Sequence, residues 1–143
     1  MKLEFKWNKS KKQLGHDKTG GKKGRLFLAN EAKRLMNPYV PAKNLMLAQN
    51  TNVFVEGEHG IVEYDSPYAH YQYIGELYVS SVTGSAWAAE GEYKIPTGKS
   101  LKYDTFKHPL ATDHWDEAMM VARKGDLTAA YQVYLNGGRN DNT

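Results

Sequence analysis

Two β-branched runs, Thr51 to Val55 and Gly60 to Tyr64, are joined by Glu56-Gly57-Glu58-His59, which is the pattern of a β-hairpin. A hairpin commits this part of the chain to an antiparallel sheet, and the apolar face of such a sheet must be covered. The flanking segments have the helical period needed to cover it. From Lys22 to Met36 the apolar residues Leu28, Ala32, Leu35 and Met36 recur at helical spacing. Asn37-Pro38 closes that segment, because a residue before proline avoids the helical region. Pro38 and Pro41 then hold a stiff turn through Tyr39 and Val40. Near the other end, Asp113 offers an N-cap to a helix bearing Trp115, Met119 and Ala122. Gly125 kinks or caps it, Leu127, Ala130, Tyr131 and Tyr134 carry the face onward, and Asn136-Gly137-Gly138 ends it.

Between these helices, Ser66-Pro67 predicts a short helix carrying Tyr68, Tyr71 and Tyr73 as far as Gly75, followed by a third strand over Leu77 to Val82. Gly84, Gly91, Pro96 and Gly98 punctuate the stretch up to Ser100, which predicts a long functional loop or a wide hairpin. Leu101 to Phe106 alternates weakly as a fourth strand before His108-Pro109 breaks it. The expected fold is therefore α+β in a single domain: an antiparallel sheet with a long helix near the N-terminus and a C-terminal helix packed on it. A length of 143 residues suits one such core.

The chain has no cysteine, which excludes disulfides, thiolate catalysis and cysteine-ligated zinc and is in keeping with assembly in a reducing cytoplasm. Met1 to Trp7 lacks the apolar run of a signal peptide, and no stretch approaches the roughly 18 apolar residues of a membrane span. Charge is unevenly placed. Through Arg25 there are nine Lys and Arg against Glu4 and Asp17, an excess of seven in a chain whose net charge is +3, which leaves the remainder at −4. Residues 1–24 are accordingly expected to form a basic arm that orders mainly on assembly, with 25–136 as the folded domain and 137–143 as a flexible tail. Lys9, Lys11, Lys12, Lys18, Lys22 and Lys23 are its candidate contacts, to an acidic neighbour or to nucleic acid.

Catalytic patterns are missing. His16, His59, His70, His108 and His114 show no HExxH spacing, the serines lie in no G-x-S-x-G elbow, and Gly20-Gly21-Lys22-Lys23-Gly24 lacks the spacing of a phosphate loop. The chain is expected to be no enzyme, with no catalytic residue, no cofactor and no metal. Its densest signal is aromatic: Tyr64, Tyr68, Tyr71, Tyr73 and Tyr78 lie close together in a stretch, Glu56 to Thr83, that holds no Lys or Arg. Base stacking needs interleaved cations, so this cluster points to core packing or to protein contacts. Tyr68, Tyr71 and Tyr73 are the candidate partner-binding residues.

Several motifs resemble a known family. They are the run from Leu26 through Asn30-Glu31-Ala32 to Asn37-Pro38-Tyr39-Val40-Pro41, the element Pro67-Tyr68-Ala69-His70-Tyr71, the segment Thr83-Gly84-Ser85-Ala86-Trp87, Leu101-Lys102-Tyr103, and His108-Pro109-Leu110-Ala111-Thr112-Asp113-His114-Trp115. Together they resemble the phage minor capsid proteins of siphophages of Gram-positive bacteria, encoded among head-tail joining genes. One departure is that Asn44-Leu45-Met46-Leu47 stands where that family usually has a Thr-Gly-x-Leu turn. The resemblance implies a structural virion protein at the head-tail joint, with a fold similar to tail-completion and tail-terminator proteins. It also implies a homo-oligomeric neck ring, expected to be hexameric, that meets connector or stopper proteins and tail-terminator or tail-tube proteins. Genomic DNA in the channel is a further possible contact, and a nucleic-acid-binding module using the basic arm is the alternative function.

Overall fold

The hairpin forms as β2 (Thr51–Glu56) and β3 (His59–Tyr64), turning through Gly57, whose left-handed φ of +57° suits a two-residue turn. It belongs to a computed structural model that describes residues 1–6, 21–41, 47, 50–66, 69–103 and 105–137. Strand β1 (Lys2–Phe5) pairs antiparallel with the other side of β3, Leu3 opposite Val62 and Phe5 opposite Gly60, so the sheet order is β1-β3-β2. Leu3 and Phe5 alternate with exposed Lys2 and Glu4, and the two apolar side chains enter the core. The central strand β3 buries Gly60, Ile61, Val62 and Tyr64.

Helix α1 (Gly21–Met36) packs across all three strands, and its buried residues Leu28, Ala29, Ala32, Leu35 and Met36 make one stripe at helical spacing. A 3-10 turn over Asn37–Tyr39 ends it, with the Val40 N–H donating to the Asn37 carbonyl. The helix lies very close to the sheet. At Gly60 a Cβ would stand 2.5 Å from the Arg25 carbonyl oxygen and 2.9 Å from the Ala29 Cβ, so small residues on both elements permit the approach.

The long helix α3 (Trp115–Asn136) packs on α1, with Phe27 stacked on Tyr134 at 4.3 Å between ring centroids. Its first residue, Trp115, is fully buried and meets Tyr64 edge-on at 5.2 Å, tying the helix start to the end of β3. Helix α2 (Ala69–Ile74) leads into a separate two-stranded sheet of β4 (Glu76–Ser80) and β5 (Lys94–Ser100), with Val79 opposite Ile95 and Ser80 opposite Lys94. The base of this second hairpin is fastened to the body at Gly75. There the φ is +77°, the Leu101 N–H donates to the Gly75 carbonyl, and a Cβ would stand 2.7 Å from that of Asp113.

The architecture is the expected α+β plan, mixed helix and antiparallel sheet in one small domain, with four local differences. The basic arm expected over residues 1–24 is part of the fold at both ends, because Lys2–Phe5 is a sheet strand and α1 begins at Gly21. The strand expected over Leu101 to Phe106 lies earlier, at Lys94–Ser100, so the stretch before Ser100 is a wide hairpin. Helix α3 runs unbroken through Gly125, since Met119 on one side and Leu127 and Tyr131 on the other are buried in the same core and outweigh a glycine cost of about 1 kcal/mol. Its N-cap is His114 at φ +42° with no side-chain cap, in place of Asp113. Positions 42–46, which include most of the departing Asn44-Leu45-Met46-Leu47 segment, and residues 138–143 of the tail lie outside the described residues.

Candidate partner-binding surface

The described tyrosines that were candidates for one contact surface have different surroundings. Tyr73 faces the body: its hydroxyl donates to Asp116 Oδ1 at 2.5 Å, and its ring meets Trp115 at 5.1 Å and His114 at 4.6 Å. Burial, aided by the Asp116 carboxylate, pushes its phenol well above the ordinary range. Tyr71 is half-buried as well but has other neighbours: its ring is 5.0 Å from that of Tyr78, with Lys94 Nζ 4.9 Å from its centroid. Tyr68 lies outside the described residues.

Two further phenols share the behaviour of Tyr73. Tyr64 is pushed up by burial, and Tyr103, which donates to the Gln72 carbonyl at 2.6 Å, is pushed up to about 12 by burial and by Asp113. The folded chain thus keeps phenolic protons that an unfolded chain releases near pH 10. Their stabilising effect is complete below that pH and is lost as the pH rises above it. Alkaline titration followed by tyrosinate absorbance should therefore show a late group of tyrosines whose ionisation coincides with loss of the circular dichroism signal. Ionisation of all ten tyrosines in one early step, with the fold intact, would contradict this burial pattern.

Exposed apolar side chains outside the tyrosine pair include Val121 and Phe106, and several gather at the tip of the β4–β5 hairpin. Here Val82 and Trp87 are each 72% exposed, Tyr93 is 71% exposed and Ile95 41%. The tip is nevertheless tightly organised, and the buried hydroxyl of Ser80 is its centre. Ser80 Oγ donates to Glu92 Oε1 at 2.7 Å and accepts from the backbone N–H groups of Val82 and Thr83. Glu92 also accepts from the Ala89 N–H, and these bonds, that of Ser80 first, hold its carboxyl below the ordinary range. Aromatic and aliphatic side chains are thus presented on a loop whose shape is already set, which lowers the entropic cost of binding. The glycine punctuation marks this loop in the sequence, while the outward role of Val82, Trp87 and Tyr93 depends on what the strands leave uncovered.

The basic residues also divide. Lys2 pairs with Glu56 at 2.8 Å and Lys6 with Glu58 at 3.0 Å, so part of the N-terminal charge excess is balanced by the β2–β3 turn. Lys22 and Lys23 are exposed in the first turn of α1, where there is no acidic residue. Lys9, Lys11, Lys12 and Lys18 lie outside the described residues, as does His16. Of the other histidines, His108 Nδ1 donates to the Val40 carbonyl at 2.7 Å, His114 Nδ1 pairs with Asp113 at 2.9 Å, and His59 stands 4.0 Å from Glu4. Among the described residues, no three His, Cys, Asp or Glu side chains gather as a metal-binding group, and no helix is long and apolar enough to cross a membrane.

A protein family described as minor capsid protein matches residues 2–137 of the chain. No curated protein and no solved structure gives a significant match.

Proposed function

The chain belongs to the minor capsid protein family and has a structural role in a phage virion, and from that premise we propose that it acts at the head-tail joint as the subunit of a closed neck ring. The observation that carries this reading is the β4–β5 hairpin. A two-stranded sheet is marginal alone in water, and this one has exposed apolar side chains at a tip held rigid by its own hydrogen bonds. Such an element suits a subunit that meets neighbours on more than one side, as every member of a ring does. The missing catalytic patterns agree with a structural role. The partners follow as part of the same reading: further copies of this chain, a connector or stopper layer on the head side, and tail-terminator or tail-tube proteins on the other.

Deletion of the gene from an otherwise intact phage tests the placement. The expected outcome, seen by electron microscopy of the lysate, is filled heads and free tails that do not join, with the protein present at low copy number in wild-type particles by mass spectrometry. Normal tailed particles from the deletion, or wild-type particles without the protein, would overturn it.

A further inference from the structure

The hairpin tip has a counterpart elsewhere on the same chain. Where α1 and α3 run together, Leu26 is 37% exposed and Val133 67% exposed, beside the stacked pair Phe27 and Tyr134. This helical face has a basic rim, Lys22 and Lys23 in the first turn of α1, at the helix end whose backbone dipole is positive. The C-terminal part of α3, from Leu127 to Asn136, carries no charged residue at all. The hairpin tip has the opposite character: from Ser81 to Tyr93 it contains Glu90 and Glu92 and no Lys or Arg. Apolar side chains therefore exist on both surfaces, and the charges at their margins are complementary.

From this complementarity we infer that the tip of the β4–β5 hairpin in one copy seats on the α1–α3 face of a second copy, with Tyr93 and Val82 against Leu26 and Val133 and Glu90 beside Lys22 and Lys23. The inference deepens the ring reading and rests on it. Two different surfaces of one chain meet, so the contact is heterologous, and repeating it adds copies in one direction until rotation closes the ring. The few contacts between this hairpin and the other described elements agree with this use. Among the described elements β5 has β4 as its one substantial neighbour, and β4 touches α2 besides. Val79 and Ile95, opposite one another, share the side of the hairpin turned away from Tyr71, while Ser80, Lys94 and Tyr78 lie on the side facing it.

The absence of cysteine allows a direct test, since any introduced thiol is unique. Two double variants are made, E90C with K22C and Y93C with V133C, and treated with a short bismaleimide both in purified particles and as the purified full chain, with folding checked by circular dichroism. The expected result is a ladder of dimers, trimers and larger species ending at a single closed size, absent from each single variant. Particles that contain the protein but give no ladder from either pair would overturn the docking and leave the ring reading standing. A ladder from the purified chain, with no protein in wild-type particles, would sustain the docking and overturn the neck reading. If K22E with K23E loses only affinity for duplex DNA while the Y93C and V133C ladder persists, the lysines serve nucleic acid and the charged half of the contact is wrong.

Discussion

Replacing Trp115 with alanine is expected to lower the stability of the chain by about 3 to 5 kcal/mol, a large part of the roughly 5 to 15 kcal/mol that holds a domain of this kind together. The indole is fully buried at the start of α3 and lies edge-on to both Tyr64 of β3 and Tyr73 of α2, at 5.2 and 5.1 Å. Its removal leaves a cavity where the long helix, the central strand and the base of the second hairpin meet, so no single element can collapse to fill it. Urea denaturation should show the midpoint falling sharply with little change in slope, and Trp115→Phe should recover part of the loss because the edge-on ring contacts survive. A loss below about 1 kcal/mol would mean that the three elements do not depend on this side chain.

Gly60→Ala is expected to destabilise the chain by about 1 to 3 kcal/mol, and Gly60→Val by more. The position sits in a regular strand without a positive φ, so alanine should by itself stabilise by about 0.4 to 1 kcal/mol through the unfolded state. Against that gain stands the Arg25 carbonyl oxygen, 2.5 Å from where the new carbon would lie, and a backbone atom cannot rotate away as a side-chain end can. The sign of the change therefore reports how closely α1 is seated on β3. Thermal unfolding of the variant would decide it, and a raised melting temperature would show that the helix stands further from the sheet than described.

Much of this fold was legible because its signals are local. Helix α1 follows from Leu28, Ala32, Leu35 and Met36 with Asn37-Pro38 as a stop, and the β2–β3 hairpin follows from two β-branched runs around Gly57. Strand β1 was obscured by charge: Leu3 and Phe5 alternate correctly, yet Lys2, Glu4 and Lys6 make the same residues look like a solvated arm. Only the pairing with β3, 55 to 61 positions away, shows that the charges point outward, where Lys2 and Lys6 meet Glu56 and Glu58 at the β2–β3 turn. Strand β5 was obscured by Pro96 and Gly98, which weaken a central strand but are tolerated in a two-stranded sheet with open edges.

The candidate surface was less legible than the fold. Tyrosine density marked the right region, but the sequence does not distinguish Tyr73, held by Asp116 and Trp115, from Tyr71, which lies beside Tyr78 and Lys94. That distinction depends on residues 43 and 23 positions further along the chain, which become neighbours only after folding. Exposure of Val82 and Tyr93 depends in the same way on how the other described elements pack rather than on any property of the residues themselves.

The pairing of β1 with β3 also sets the order in which the chain reaches this structure. Strands β2 and β3 meet across a two-residue turn, whereas the Met1 ammonium reaches the Tyr64 carbonyl across 63 positions. Closing the longer loop costs roughly 2 to 3 kcal/mol more in chain entropy, and four residues of strand return little until the surface they dock on exists. The hairpin and α1 are therefore expected to assemble first, with β1 joining a sheet already backed by its helix. Because synthesis makes β1 before β3, Leu3 and Phe5 are expected to wait as exposed apolar side chains until their partners Val62 and Gly60 have been made.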